Sequence, residues 1–257
     1  MARLMKIRDK MFKSLLLIFF ILSGIHLGFA GTIDPNTPDS KYVEYGSKFH
    51  SVVKLCCFDG KGMSCGSAVI IDPHWIITAA HVVENCHSWS VTVDEEQYKI
   101  DKIIIHGEYQ TEVFGYNDIA LGYVEKEIKL DHYPALYADS DEVGKVCSMA
   151  GLGFTGTFNT GIERADGKRR AGSNFIDRIE RKILICSPSR RNEKTTELEY
   201  LIGSGDSGGG LFIGNKLAGI HSSVIGYDGK SNSTYTDESC HTRISLFHDW
   251  IIDTISK

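Results

Sequence analysis

Short apolar runs broken by Gly, Asn and Asp dominate the chain beyond residue 50. They fall at 51–57, 66–71, 75–78, 89–93, 98–105, 119–124, 145–150, 182–186, 210–213, 216–221 and 240–244. Runs of this length with frequent turn formers predict an all-β barrel or sandwich. Only the C-terminal stretch has helical spacing: Phe247, Trp250, Ile251 and Ile255 share one face, a stripe that reads as core packing. Residues 31–40 are rich in turn formers and read as an N-terminal arm. Residues 154–200 are polar and irregular, and predict long loops. Gly151-Leu152-Gly153-Phe154-Thr155-Gly156 formally matches a dinucleotide-binding fingerprint. The fingerprint needs a helix immediately after it, and Thr157, Asn159, Thr160 and Gly161 give no helix start, so that reading is set aside.

The first 30 residues carry a different pattern. Arg3, Lys6, Arg8, Lys10 and Lys13 precede an apolar run from Ser14 to Phe29, and Gly28 and Ala30 are small where a signal peptidase reads. Ser23, Gly24 and His26 interrupt that run, which therefore falls short of a membrane span. The expectation is an export signal cleaved after Ala30, no stable membrane association afterwards, and a periplasmic or extracellular (secreted) protein. The full chain has 28 Lys and Arg against 33 Asp and Glu. Removal of residues 1–30 takes five basic residues and one acid with it, which makes the balance more acidic and argues against a nucleic-acid surface. Lys168-Arg169-Arg170 and Arg190-Arg191 read as solvated loop residues. The chain has seven cysteines, Cys56, Cys57, Cys65, Cys86, Cys147, Cys186 and Cys240. Export permits disulfides, and the odd count leaves at least one thiol free or paired between chains. No Cys or His pair has a recognised metal spacing, so no metal and no cofactor are expected. Asn232-Ser233-Thr234 is a glycosylation sequon that matters only in a eukaryotic secretory pathway.

Three segments carry candidate chemistry. In Gly203-Ser204-Gly205-Asp206-Ser207-Gly208-Gly209-Gly210 a serine sits among glycines that let backbone N–H groups crowd around it. Upstream lie Thr78-Ala79-Ala80-His81 and Asn117-Asp118-Ile119-Ala120-Leu121. A serine hydroxyl needs a neighbour that removes its proton during attack, and imidazole, with an ordinary pKa of about 6.5, suits that task. The three segments thus supply a base (His81), an acid to orient it (Asp118) and a nucleophile (Ser207). The N–H groups of Gly205 and Ser207 are the candidate donors to a developing oxyanion.

The TAAH, DIAL and GDSGG blocks, in that order, resemble the chymotrypsin/trypsin-like serine proteases. Further similarity lies in Ser64-Cys65-Gly66-Ser67-Ala68-Val69-Ile70, in Cys147-Ser148-Met149-Ala150-Gly151-Leu152-Gly153, and in Thr242-Arg243-Ile244-Ser245 followed by Trp250-Ile251. The resemblance covers roughly residues 45–257. It implies two six-stranded antiparallel β-barrels, at about 45–140 and 141–245, closed by the C-terminal helix, after a signal at 1–30 and an arm at 31–44. It implies a monomeric secreted endopeptidase acting on protein or peptide substrates through an acyl-enzyme. The alternative is a non-catalytic binding module on the same fold. Family cysteines imply a Cys65–Cys86 bridge. The usual partner position of Cys147 holds Ile213, so that bridge is absent or re-wired. Matching also assigns a substrate pocket: Leu201 at the base with Ile202 beside it, Ser204, the strand His221-Ser222-Ser223-Val224, and Ser239 on the opposite wall. Leu201 in place of an aspartate disfavours cleavage after Lys or Arg. His221 suggests recognition of Glu or Gln, while Val224 suggests a small apolar residue, and both readings stay open. Many relatives pair a newly freed N-terminus with the aspartate before the nucleophile, here Asp206. No Ile-Val-Gly-Gly start exists, and the amine at Gly31 is one candidate.

Overall fold

A computed structural model describes residues 31–111, 113, 115–189 and 195–257. The expected export segment and the Arg190-Arg191 pair lie outside the described residues.

The first large sheet has seven strands: β2 (Val52–Phe58), β3 (Met63–Asp72), β4 (Trp75–Thr78), β5 (Ser88–Val93), β6 (Glu96–Ile100), β7 (Lys102–Ile105) and β8 (Ala120–Tyr123), ordered β6-β5-β2-β3-β4-β8-β7. The apolar run 98–105 divides at Asp101 into two strands, which is why the count is seven. The second has eight: β9 (Ala135–Leu136), β10 (Val146–Gly151), β13 (Arg170–Phe175), β14 (Arg178–Glu180), β15 (Ile183–Cys186), β17 (Gly210–Ile213), β18 (Lys216–Ile225) and β19 (Glu238–Arg243). Its main path is β13-β10-β17-β18-β19-β15-β14, with β9 pairing in parallel on β18. A smaller sheet, β12-β11-β1-β16, joins β1 (Thr32–Ile33), β11 (Phe154–Thr157), β12 (Gly161–Ala165) and β16 (Tyr200–Leu201). Among the described residues, three α-helices complete the fold: α1 (Asp39–Gly46), α2 (Ala80–Val83) and α3 (His248–Ile255), the last preceded by a 3-10 turn at Ile244–Leu246.

The period-two alternation of a strand sorts side chains between cores. On β2, Val53 and Leu55 enter the first barrel with Ile70, Ile76 and Val91, while Val52 on the other face joins Val69, Ile77 and Phe212 between the barrels. Phe247 and Ile251 of the C-terminal segment bury into that same junction, with Trp250 and Ile255 packed against it. A third core around Met149, Leu184 and Leu211 fills the second barrel. The fold is therefore all-β with two barrel-like sheets and a C-terminal helix. No helix among the described residues is long and apolar enough to cross a membrane.

Several expectations need correction. The arm carries regular structure that its turn formers did not announce: Thr32-Ile33 inserts as a strand between β11 and β16, and residues 39–46 form a helix. The region 154–200 is not mainly loop, since it supplies β11 to β16. Its strands read as loops in sequence because they are short and carry charges. Cys65 does not pair with Cys86. Cys56 and Cys65 stand directly opposite in the β2–β3 ladder and are bonded. Cys57, on the other face of β2, bonds Cys86, just beyond α2. Arg170 is not a solvated loop residue. It is almost fully buried on β13, with Nε and Nη2 on both oxygens of Asp39 (2.6 and 2.8 Å) and Nη1 and Nη2 on both oxygens of Asp166 (2.8 and 2.7 Å).

This double fork ties α1 to the second barrel. It also pushes the Asp166 carboxyl down to about 2, through the hydrogen bond from Arg170. Removing the guanidinium leaves two carboxylates facing each other without a cation. Arg170→Met is expected to lower unfolding free energy by about 2–4 kcal/mol near neutral pH, because both partners are partly solvated. The deficit should shrink as pH falls through the ordinary carboxylate range of about 4, where the orphaned acids protonate. Urea titrations at several pH values check this; a change below about 0.5 kcal/mol at neutral pH would contradict it.

Candidate active site

His81 lies in α2, a single turn entered from β4 through Ala79, whose extended backbone (φ −77°, ψ 141°) reverses the chain. The N–H groups of a helix's first turn have no intrahelical acceptor. That of His81 donates to Asp118 Oδ1 at 3.0 Å, and the ring Nδ1 contacts Asp118 Oδ2 at 2.7 Å. Both carboxylate oxygens thus grip one residue, fixing the ring's orientation as well as its position. The tautomer follows: Nδ1 carries the shared proton, and Nε2 is left as the acceptor.

Asp118 is itself set by an unusual turn. Asn117 adopts a left-handed conformation (φ 51°), which asparagine tolerates better than most residues. Its side chain fixes the turn by donating to the Glu108 carbonyl at 2.9 Å and accepting from Lys182 Nζ at 2.7 Å. From the second barrel, Ser222 Oγ donates to Asp118 Oδ2 at 2.6 Å and Thr242 Oγ1 donates to the Asp118 carbonyl at 2.9 Å. Burial works against the charged carboxylate, but the bonds from His81 and Ser222 outweigh it and hold Asp118 below the usual range. For His81, burial disfavours the imidazolium, and the hydrogen bond and charge of Asp118 overcome that and raise its pKa. One edge of the ring stays open, with 36% of the side chain exposed.

The loop bearing Ser207 is pinned to the first barrel through its backbone. Ser207 O accepts from Ser67 N at 2.8 Å, and Gly205 O accepts from Ser67 Oγ at 2.9 Å. Gly208 (φ 85°) passes so close that a Cβ there would lie 2.1 Å from both Ser67 O and Thr78 Oγ1, so only glycine fits. Thr78 ends β4, three residues before His81. Serine loop and histidine turn therefore rest on the same strand end. Ser207 Oγ makes no hydrogen bond to His81 here. The N–H groups of Gly205 and Ser207 have no acceptor among the described residues.

The residues assigned to the substrate pocket scatter in accessibility. Leu201, Ile202, His221, Ser222 and Ser239 are buried, Ser223 and Val224 are half-buried, and Ser204 is exposed. Ser239 Oγ already accepts from Ile202 N at 3.0 Å. Ser222 serves Asp118 rather than an open pocket. His221 Nδ1 lies 2.9 Å from His241 Nδ1, so the two rings hold complementary tautomers. Burial pushes His221 down to about 3, only partly offset by the Ala150 carbonyl, and burial also holds His241 well below the ordinary imidazole value. Both rings are neutral. Among the described residues, no three His, Cys, Asp or Glu side chains converge as a metal site requires.

Sequence reasoning did not find Asn117, Lys182, Ser67, Thr242 or His241. Their hydroxyl, amide, amine and imidazole groups act on neighbours that only the fold brings close, and no spacing along the chain marks them.

Comparisons with known proteins bear on the family and the fold. The Trypsin family's sequence model matches residues 47–251. Human kallikrein-7 is 25% identical over 221 residues, covering 79% of this chain and 82% of its own. Alpha-fibrinogenase albofibrase of Trimeresurus albolabris is also 25% identical, covering 82% and 84%. Among solved structures, HL collagenase superposes with a TM-score of 0.62 at 18% identity, covering 81% of this chain and 94% of its own. Neuropsin, a serine protease expressed in the limbic system of mouse brain, gives 0.62 and 18%, with coverage of 82% and 96%. Family match and fold lead to one conclusion: the chain belongs to the trypsin family and is a serine-type endopeptidase.

Proposed function

We propose that this endopeptidase is exported and cleaves peptide bonds through a triad of His81, Asp118 and Ser207. The observation that carries the reading is the two-point grip of Asp118 on His81, which leaves Nε2 as the only ring nitrogen able to take a proton. Ser207 Oγ attacks the substrate carbonyl carbon and His81 Nε2 takes its proton. The N–H groups of Gly205 and Ser207 stabilise the oxyanion. His81 then returns the proton to the leaving amine, giving an acyl-enzyme that water hydrolyses by the same relay. Two disulfides in the first barrel support an oxidising, extracellular or periplasmic location.

For specificity, the apolar base at Leu201, the half-buried Val224 and the committed hydroxyl of Ser239 favour a small uncharged side chain before the cut. A neutral His221 already engaged with His241 argues against the Glu or Gln alternative. A Lys or Arg side chain would be desolvated without a counter-ion, which is costly.

Activation follows from Asp206. Its carboxylate is fully buried, accepting from the Tyr200 hydroxyl at 3.0 Å and the Gly153 and Gly203 N–H groups at 3.2 Å. Burial raises its pKa to about 6 despite these donors and the Gly31 N–H. Gly31 is confined: a Cβ there would lie 2.3 Å from the Tyr200 ring. We infer that cleavage after Ala30 turns this amide into an α-ammonium that neutralises Asp206 and braces the Ser207 loop.

A fluorophosphonate probe is expected to label the mature protein at Ser207, with labelling lost in Ser207→Ala and slowed roughly 10³–10⁴-fold in Asp118→Asn. Undiminished labelling of Ser207→Ala, or no labelling of folded mature protein, would contradict the triad. Peptide substrates differing only in the residue before the cut should be hydrolysed at least about tenfold faster with Ala or Val than with Lys, Arg or Glu. Equal or faster cleavage after Lys would contradict the pocket assignment. Acetylating the Gly31 amine should lower activity and melting temperature above about pH 6, where Asp206 ionises without a cation. The loss should vanish near pH 4, where the carboxyl is protonated in the folded state. Melting curves and assays of both forms across pH check this; indistinguishable behaviour at pH 8 would sink it.

A further inference from the structure

Two thiols meet inside the second barrel. Cys147 lies on β10 and Cys186 ends β15, strands that are not neighbours in the sheet. Their Sγ atoms are nonetheless 3.8 Å apart, both side chains fully buried in the core with Met149, Leu184 and Leu211. Cys147 Sγ also donates weakly to the Asn174 carbonyl at 3.4 Å. A disulfide needs its sulfurs at about 2.05 Å, so the missing approach is under 2 Å. The third unbonded cysteine, Cys240, belongs to a separate cluster with Ile183 and Ile185. Seven cysteines thus divide into two bonded pairs, one facing pair and a single remainder.

We propose that Cys147 and Cys186 close into a third disulfide, a staple across the interior of the second barrel between strands that share no hydrogen bonds. The step is an oxidation by thiol–disulfide exchange. The Cys147 thiolate attacks the disulfide of an external disulfide oxidant, forming a mixed disulfide and releasing one oxidant sulfur as a thiolate that takes up a proton. The Cys186 thiolate then attacks Cys147 Sγ, forming the intramolecular bond and releasing the second. Two electrons and both protons pass to the oxidant, which leaves as two thiols. The contact with Cys147, together with burial, raises the Cys186 thiol well above its ordinary pKa, so the folded pair is sluggish toward outside reagents. Closure therefore belongs to folding, while the barrel is still open to the oxidant. The bridge encloses 39 positions of sequence, and it replaces the missing partner at Ile213 with one from a different strand. The inference is independent of the catalytic assignment, because it concerns only cysteines outside the triad.

The test is a thiol count on the exported full-length product, purified without reductant, unfolded in guanidinium with excess N-ethylmaleimide and weighed intact. One adduct is expected, at Cys240, and a proteolytic digest should yield a Cys147–Cys186 cross-linked peptide. Cys147→Ala should raise the count to two, by freeing Cys186. Three adducts at Cys147, Cys186 and Cys240 in the wild-type protein would overturn the proposal, as would a peptide joining Cys147 to any other cysteine.

Discussion

Everything in the candidate site converges on the buried carboxylate of Asp118. It leaves the first barrel just ahead of β8, yet it accepts a hydrogen bond from Ser222 on β18, and its carbonyl accepts one from Thr242 on β19. A charged group so enclosed costs free energy unless every lone pair is used. Here His81 contributes two donors and Ser222 a third. The same bonds that make the charge tolerable also orient the imidazole and lock the barrels in register. Neither barrel alone supplies the set, so the site exists only when both are folded and docked. The apolar junction of Val52, Ile77, Phe212 and Ile251 drives that docking, and the C-terminal helix closes it from one side.

A second buried carboxylate sits one residue from Ser207 and is solved differently. Asp118 is gripped by the His81 imidazole and backbone N–H and by the Ser222 hydroxyl and stays ionised. Asp206 has mainly neutral donors around it and its pKa climbs. Gly31, which precedes β1 of the small sheet, reaches this carboxylate with its backbone N–H, and the proposed activation rests on that contact. A strand of two residues, Thr32-Ile33, holds it there by pairing on both sides, and Thr32 Oγ1 bonds the Ser233 carbonyl at 2.5 Å. Ser233 Oγ in turn donates to the Ile202 carbonyl at 2.6 Å, so the arm also steadies the segment leading to Ser207.

Much of this was legible in the chain before any coordinates. His81, Asp118 and Ser207 stood out because each sits in a local motif with a mechanical reason for its neighbours: small residues before the histidine, a strand after the aspartate, glycines around the serine. The strand-rich architecture and the C-terminal helix were legible from periodicity. What stayed hidden depends on distance in sequence. The Cys56–Cys65 pairing is set by the register of β2 on β3, and adjacent Cys56 and Cys57 point to opposite faces, which spacing alone does not reveal. Arg170 looked solvated because its two acids lie at Asp166 and, far upstream, Asp39. His221 looked like a substrate reader, and its partner His241 becomes visible only once β18 and β19 pair. The helix at 39–46 was missed because Pro35, Pro38 and Asn36 dominate the composition just before it.

The central claim is that Asp118 holds His81 as an oriented base with an elevated affinity for protons. Histidine-labelled protein followed by proton–nitrogen NMR across pH reads this directly, with His81 assigned by its absence from His81→Ala. The account predicts that the His81 ring titrates above the ordinary value of about 6.5, keeps its proton on Nδ1 when neutral, and drops toward or below that value in Asp118→Asn. A ring that titrates at or below the ordinary value, with the neutral proton on Nε2 and no response to Asp118→Asn, would contradict it.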